Sequence, residues 1–201
     1  MKAEYKVAGK TLDIVHGSVT RYHADALVCP ANPDLEMVAF PGGVLYAFLS
    51  EGGPEIFKEA SEIGQQMLQY SMDTVFPMAV PPTSAHITTA GSLPAKQVIH
   101  TCSVGYDIKS DNIYCDKDII ERSTRNVLEL AKERGLKSIG FPTLGTGLYS
   151  VPMEEAIDGM SDEFSKHLEV ETTLERIGLI LYEENSFQLA KKIYDQKFNS
   201  Q

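Results

Sequence analysis

Short apolar segments rich in β-branched residues alternate with longer amphipathic segments along most of this chain, and this alternation restricts the fold more than any other feature. The alternation is typical of an α/β layer fold. Several short segments are almost continuously apolar, as expected of strands whose two sheet faces are both covered by helices. The predicted strands are residues 10–16, 26–29, 86–90, 97–103, 138–142 and 176–182.

The amphipathic segments predict helices. The clearest is 116–134, because its apolar residues recur at helical intervals, Asp116 and Asp118 lie near its N-terminal end, and Gly135 follows as a stop signal. Residues 70–84 contain three prolines and predict a long loop. The predicted helices are residues 43–49, 54–68, 116–134, 152–168 and 186–198.

The length and composition favour one domain over residues 1–201. A chain of 201 residues that is 43% apolar can bury one sizeable core, and no repeat or Ser/Pro-rich linker divides it. We therefore expect a single α/β domain.

The charge balance excludes some classes of partner. The chain has 18 Lys and Arg against 28 Asp and Glu, a formal net charge of −10, which argues against a nucleic-acid groove because such grooves need many basic contacts to phosphate. A small phosphate-bearing ligand still fits, since main-chain N–H groups can hold it. Residues 1–10 are polar and no apolar run approaches the roughly 20 residues of a membrane span. We expect a soluble, cytoplasmic protein with no membrane partner.

The cysteines and histidines predict neither disulfides nor a metal site. Cys29, Cys102 and Cys115 are odd in number and lack CxxC spacing, as expected of reduced thiols. None of the five histidines is paired at a spacing typical of metal ligands, and His100 lies in an apolar segment that favours a structural role. We expect no metal and no cofactor.

The most informative segment is 141–149, FPTLGTGLY, where a predicted strand ends in a glycine-rich turn and a helix begins near Pro152. Gly145 and Gly147 allow the main chain to approach a pyrophosphate closely, and successive N–H groups there suit its oxygens. The turn lacks the full GxGxxG and GxxxxGK[ST] patterns, so a purely structural turn is the alternative.

Two further segments follow predicted strands. Residues 28–33, VCPANP, lead toward Gly42 and Gly43, and in an open α/β sheet such segments lie at the edge where ligands bind. Asn32 offers a donor and an acceptor to a ribose hydroxyl or a water, although Asn-Pro is also an ordinary turn pair. Tyr182 ends the last strand, where an aromatic ring can stack on a nucleobase or simply close the core.

In this order, these segments resemble the macro domain family, over about residues 10–198. The matching segments are 17–20 (GSVT) with the family's GDIT, 29–32 (CPAN) with NAAN, 40–44 with its GGGV loop, 93–101 (LPAKQVIHT) with LPAKYVIHT, 141–149 with its glycine-rich second loop, and 181–184 with its closing strand.

The resemblance implies a three-layer α/β/α fold with a central mixed, mostly parallel sheet, and a cleft at the strand ends that binds ADP-ribose. It implies that Tyr182 stacks on adenine, with Ser18 and Val19 beside the base, and that Asn32 contacts the distal ribose. An ADP-ribosylated protein is a further partner that it allows. The remaining implied contacts wrap the diphosphate and distal ribose (Gly145, Thr146, Gly147, Leu148 and Tyr149) or close the other side of the cleft (Gly42, Gly43 and Val44).

The departures from the family bear on function. Ser18 replaces the Asp that accepts a hydrogen bond from the adenine amino group, which predicts weaker adenine binding. Leu45 stands where efficient hydrolases carry an Asp, Cys29 replaces the first Asn of NAAN, and no lysine lies between Asn32 and Gly53. The carboxylate and the lysine of two hydrolase subgroups are thus unmatched.

Two functions remain open from the sequence. One is a stand-alone domain that binds ADP-ribose or a derivative. The other is a hydrolase in which Asn32 positions a water to release a group from the distal ribose of O-acetyl-ADP-ribose, ADP-ribose 1″-phosphate or an ADP-ribosylated protein. A nicotinamide-dependent oxidoreductase fits less well, because no acidic residue follows the glycine turn at a strand end about 20 positions on.

Overall fold

The computed structural model of the protein describes residues 1–36, 42–71 and 79–198. Its strands are β1 Lys2–Val7, β2 Lys10–His16, β3 Ala26–Pro30, β4 Ala85–Thr89, β5 Gln97–Thr101, β6 Gly105–Asp107, β7 Asn112–Tyr114, β8 Ser138–Phe141 and β9 Arg176–Leu181. Its helices are α1 Val44–Gly52, α2 Pro54–Ser71, α3 Lys117–Glu133, α4 Met153–Glu169 and α5 Glu184–Phe198, with a short 3-10 helix at Val19–Arg21. Every strand and helix predicted from the sequence is therefore confirmed.

The main sheet has seven strands in the order β1-β2-β9-β8-β3-β5-β4. Each neighbouring pair from β2 across to β5 is parallel, whereas β1 and β4 join the two edges in antiparallel pairing. The carboxyl ends of β2, β9, β8, β3 and β5 consequently meet at one edge of the sheet, which we call the carboxyl edge. The predicted mixed, mostly parallel sheet is confirmed.

The alternation of side chains along each strand builds two apolar layers. In β9, Ile177 and Leu179 pack in the core cluster that α3, α4 and α5 complete, whereas Ile180 packs on the other face with Phe48 of α1 and Ile56 of α2. Helices on both faces make a three-layer α/β/α arrangement. Within the described residues, no helix combines the length and apolarity needed to cross a bilayer.

Two strand features go beyond the sequence prediction. Residues 2–7 form an edge strand in which Ala3, Tyr5 and Val7 pack on the core while the charged Lys2, Glu4 and Lys6 face outward. The strand predicted to reach residue 103 ends at Thr101, and a two-stranded hairpin of β6 and β7 follows. The three-residue strands of this hairpin are largely exposed and carry no apolar periodicity to reveal them.

The loop predicted at residues 70–84 begins later than expected, because α2 continues through Ser71. Residues 72–78 of that loop lie outside the described residues. His100 is buried in β5, and its Nε2 lies 2.9 Å from Thr88 Oγ1. Desolvation by burial lowers the pKa of His100 to about 3, so this ring is a neutral structural group, as its apolar segment predicted.

Tyr22 lies across β8 and β9 where both strands have glycine. Gly140 and Gly178 are register partners, and the Tyr22 ring covers both of them. The hydroxyl of Tyr22 donates to Oδ2 of the fully buried Asp13 at 3.0 Å, and Arg176 Nη1 lies 2.6 Å from the same oxygen. The two glycines thus make room for a ring whose hydroxyl donates to one oxygen of a buried carboxylate.

We expect Gly178→Ala to destabilise the protein by about 1–3 kcal/mol, the usual range for overpacking. A Cβ on Gly178 would lie 2.6 Å from Cζ of Tyr22, so the ring must move and its bond to Asp13 weakens. Urea denaturation followed by circular dichroism measures the change. Gly147→Ala is the matched control, since no atom lies within 4 Å of its added Cβ, and an equal loss of stability in both variants would contradict this account.

Candidate functional site

The loops that follow the parallel strands bring the predicted site residues to the carboxyl edge. Residues 17–19 follow β2, Tyr182 follows β9, residues 142–151 follow β8 and residues 31–36 follow β3. The C-terminal residue of α1, Gly52, accepts a hydrogen bond from Ser92 N, which lies near the start of β5 at the opposite edge of the sheet. The N-terminus of α1 therefore lies toward the carboxyl edge. The topology therefore gathers all of these segments at the edge where an open α/β sheet binds its ligands, and we call the region between them the cleft.

The glycine-rich loop after β8 is held by its own carbonyl groups. Ser150 N donates to the Gly147 carbonyl at 3.0 Å and Val151 N donates to the Gly145 carbonyl at 3.1 Å. Gly145 has a φ of +73°, and a Cβ there would lie 2.8 Å from Cys115 Sγ. Only glycine adopts that backbone angle readily and also leaves room for the Cys115 sulfur atom.

The main-chain N–H groups of the same loop differ from its carbonyls in their hydrogen bonding. Within residues 1–36, 42–71 and 79–198, the main-chain N–H groups of residues 145–149 donate no hydrogen bond. Because the loop's carbonyls close the turn and its N–H groups do not, the loop presents a set of free donors. Thr143 Oγ1 and Thr146 Oγ1 are 3.0 Å apart beside them. Such an arrangement suits an anion with several oxygens.

The N-terminus of α1 offers a second set of donors. Gly43 is its N-cap and makes no side-chain cap, and no acidic residue occupies the first turn. Gly42, just before it, has a φ of +94°. The positive end of this helix dipole is thus not compensated by a side chain of its own cap or first turn.

The side chains at the start of α1 supply no acid to the cleft. Val44 and Leu45 are partly buried and pack against the apolar cluster beneath α1. The described part of this loop therefore places the apolar Leu45 at the position where a general base requires a carboxylate or a lysine. The predicted residues 40 and 41 lie outside the described residues.

Asn32 is held in a turn after β3. Its Nδ2 donates to the Glu36 carbonyl at 3.1 Å, and Leu35 N donates to the Asn32 carbonyl at 3.0 Å. No described residue donates to Oδ1 of Asn32, so this oxygen retains its capacity to accept a hydrogen bond from a hydroxyl or a water.

An exposed aromatic ring marks the β2 and β9 side of the cleft. Tyr182 is 75% exposed, although its carbonyl lies 3.1 Å from His16 Nε2. Gly17 N donates to the Leu181 carbonyl at 2.9 Å, which fixes the segment leading to Ser18 beside the end of β9. The Ser18 hydroxyl is paired with that of Thr20 at 2.6 Å. A planar apolar surface and a pair of hydroxyls thus lie near each other.

Burial makes Cys29 unsuited to nucleophilic catalysis. Its side chain is fully buried, and desolvation raises the pKa of the thiol, so the thiolate is disfavoured. Burial also raises the pKa of Cys102 to about 12 and that of Cys115 to about 11. Among the described residues there is no group of three His, Cys, Asp or Glu side chains that could hold a metal ion.

Some features of the cleft were not predicted. The Thr143–Thr146 pair, the Ser18–Thr20 pair and Cys115 beneath Gly145 belong to it as well. Ser18 and Thr146 were predicted as site residues, but their hydroxyl partners Thr20 and Thr143 were not. Thr143 lies in the same segment as Thr146 and was therefore open to prediction. Cys115 is distant in sequence from the glycine-rich loop, and no local sequence pattern indicated that it lies beneath this loop.

Comparison with known proteins places these segments in a family. The family model described as Macro domain matches residues 28–160. The chain is 31% identical over 186 residues to a protein from Enterobacter cloacae named O-acetyl-ADP-ribose deacetylase, covering 92% of this chain and 94% of that one.

Solved structures share the fold. A macrodomain of Oceanobacillus iheyensis with MES bound superposes with a TM-score of 0.84 at 24% identity, covering 100% of this chain and 99% of that one. A Trypanosoma brucei macrodomain in complex with ADP-ribose has a TM-score of 0.71 at 25% identity, covering 90% of this chain and 68% of that one.

We expect Cys29 to resist thiol reagents in the native protein. Reaction with Ellman's reagent at pH 7.5, with the sites mapped by mass spectrometry, should modify the partly buried Cys115 first and leave Cys29 unmodified until denaturant is added. Denatured protein, in which all three thiols react, is the control. Rapid modification of native Cys29 would show an accessible thiolate and contradict this assignment.

Proposed function

The chain belongs to the macro domain family, and we propose that it binds ADP-ribose or a derivative of it in the cleft at the carboxyl edge. The free N–H groups of residues 145–149 are the observation that carries this proposal. They offer donors to a diphosphate without any basic side chain, which suits a protein of net charge −10. The Trypanosoma brucei macrodomain solved with ADP-ribose supports the choice of ligand.

The order of the strands sets the orientation of the ligand. Along the edge, β9 carries Tyr182, β8 carries the glycine-rich loop and β3 carries Asn32. An ADP-ribose molecule stacked by its adenine on Tyr182 places its diphosphate on residues 145–149 and its distal ribose at Asn32. Gly42, Gly43 and Val44 close the opposite side with the donors of α1.

The base end of the cleft predicts reduced preference for adenine. Ser18 lies at the end of β2 where the base stacked on Tyr182 is proposed, and its hydroxyl is already paired with Thr20. The Val19 side chain is buried in the apolar cluster beneath α1 and does not line the base site as the sequence predicted. A carboxylate accepts a hydrogen bond from an amino group more strongly than a hydroxyl does. We therefore place Ser18 among the residues that determine affinity.

Hydrolysis of a derivative is the second candidate, favoured by the relative named O-acetyl-ADP-ribose deacetylase at 31% identity. In this reaction the loop N–H groups hold the diphosphate. Asn32 Oδ1 accepts a hydrogen bond from a water and orients this water toward the group on the distal ribose. The substrate is O-acetyl-ADP-ribose, ADP-ribose 1″-phosphate or an ADP-ribosylated protein. The three free cysteines fit the cytoplasmic location that we propose with either function.

Isothermal titration calorimetry with ADP-ribose tests the binding function. We expect saturable binding, and we expect Ser18→Asp to tighten it about tenfold or more, because a charged acceptor adds about 1.5–3 kcal/mol. Ser92→Asp adds the same charge at the opposite edge and serves as the control. Absence of heat at millimolar ADP-ribose would refute the proposal, while tight binding unaffected by Ser18→Asp would remove Ser18 from the base site.

A product assay with the three candidate substrates separates the two functions. If the protein is a hydrolase, Asn32→Ala should lower kcat by about 10²–10⁴, the range for loss of a group that positions or activates a water, while binding of ADP-ribose changes less. Gln188→Ala, an exposed amide on α5, is the control. Equal product from wild type and Asn32→Ala would exclude Asn32 as the water-positioning residue, and no product from wild type would leave binding as the function.

A further inference from the structure

The strand β1 leaves one edge of the main sheet without a neighbour. It pairs with β2 alone and is the outermost strand on its side. His16 N donates to the Met1 carbonyl at 2.9 Å, in the same antiparallel register that pairs Tyr5 with Leu12. Hydrogen-bonded and non-hydrogen-bonded pairs alternate along such a ladder. The main-chain groups that point away from β2, toward the free edge, are therefore those of Lys2, Glu4 and Lys6.

These outward main-chain groups have no partner in the part of the chain that the structure describes. No residue among 1–36, 42–71 and 79–198 shares a main-chain hydrogen bond with the N–H or C=O of Lys2, Glu4 or Lys6. At the opposite edge of the sheet, by contrast, Thr89 N of β4 donates to Glu59 Oε2 of α2 at 2.7 Å. The β1 edge is thus open to another strand.

The charges on β1 decide which strand can join this edge. Charged side chains on an edge strand normally prevent pairing with an identical copy, because like charges meet. In β1, however, the signs alternate along one exposed face, which carries Lys2, Glu4 and Lys6. Within one copy, Lys6 Nζ lies 3.3 Å from Glu4 Oε1, and Lys2 Nζ lies 3.6 Å from Glu4 Oε2. A second copy fits this edge if its register places Glu4 opposite Lys6.

A two-fold axis at Tyr5 produces that register. The two β1 strands then run antiparallel, Glu4 faces Lys6 of the second copy, and Ala3 faces Val7. The outward groups of Glu4 and Lys6 bond each other across the axis, and Tyr5 forms a non-hydrogen-bonded pair with its own copy. A slide of two residues places either Glu4 opposite Glu4 or Lys6 opposite Lys6. A larger slide pairs at most three residues of the strand.

The helical layer above β1 also accommodates a second copy. The Tyr5 ring lies 5.5 Å from the ring of Tyr194 and 6.1 Å from that of Phe198, both in α5, and Leu12 and Ile14 of β2 belong to the same core cluster. The helix α5 therefore lies over both strands. Because adjacent strands are about 4.8 Å apart, the α5 helices of the two copies are about 10 Å apart. Helices pack at about that distance.

We propose that β1 is a self-association edge, at which two copies of this chain join their main sheets into one symmetric dimer. The two β2 strands then run in opposite directions, so the carboxyl edges of the two copies point away from each other. Each copy keeps its own cleft, and the inference is independent of the ligand proposal. One pair of strands makes a small interface, which is typical of weak, reversible association.

Sedimentation velocity at increasing protein concentration tests the register through its charges. We expect wild type to shift reversibly from monomer to dimer. Glu4→Lys and Lys6→Glu should each weaken dimerisation at least about tenfold, because two pairs of like charges then meet across the axis. An equimolar mixture of the two variants should regain dimers, since positions 4 and 6 are both positive in one and both negative in the other.

Glu133→Lys is the control for these variants. It makes the same change of charge at an exposed position at the end of α3, away from β1. We expect its dimerisation to match that of wild type. Circular dichroism and thermal unfolding of each variant establish that it is folded.

Amide hydrogen exchange of wild type measures the interface without a substitution. At a concentration where dimers predominate, the N–H groups of Glu4 and Lys6 should exchange at least about tenfold more slowly than in dilute protein. The N–H of Tyr5 points toward β2 and should be protected at both concentrations.

Several results would overturn the self-association edge. These are a wild type that stays monomeric at millimolar concentration, a dimer that forms equally in both folded single variants, and a mixture of them that regains no dimer. If a single variant does not fold, the double variant Glu4→Lys/Lys6→Glu, which restores opposite charges, must dimerise. A wild-type dimer with unprotected Glu4 and Lys6 amides also overturns it. Loss of ADP-ribose binding bears only on the proposed function.

Discussion

The free main-chain N–H groups of residues 145–149 are the feature on which this account of the protein depends. None of them donates a hydrogen bond to a described residue, whereas the carbonyls of Gly145 and Gly147 accept bonds that close the turn. The turn is possible because Gly145 adopts a φ of +73° above Cys115. The parallel sheet then places this loop between an exposed tyrosine and Asn32. We therefore propose that the ligand site follows from strand order and one glycine conformation rather than from basic side chains.

This arrangement explains how an acidic protein can bind a diphosphate. A net charge of −10 opposes any anion at long range, but salt screens that repulsion beyond about 10 Å. Donors from the main chain act at hydrogen-bond distance and are already ordered before the ligand arrives.

Much of the fold followed from the sequence because the parallel core strands and the amphipathic helices bury continuous or periodic apolar residues. The strands β2, β3, β4, β5, β8 and β9 and all five helices were predicted, as was the placement of Asn32, Gly145 and Tyr182 at strand ends. The edge strand β1 was missed because its core face consists only of Ala3, Tyr5 and Val7, between charged residues. The hairpin was missed because its strands have three residues each and bury little. Contacts such as Cys115 beneath Gly145 join distant parts of the chain and leave no local pattern.

The most direct test of the account is the backbone amide NMR spectrum during titration with ADP-ribose. The account predicts that the amide resonances of residues 145–149 shift most strongly and in proportion to saturation, together with those of Gly43 and Val44. Shifts confined to lysine and arginine side chains, or a spectrum in which the amides of residues 145–149 do not move at saturating ligand, would contradict it.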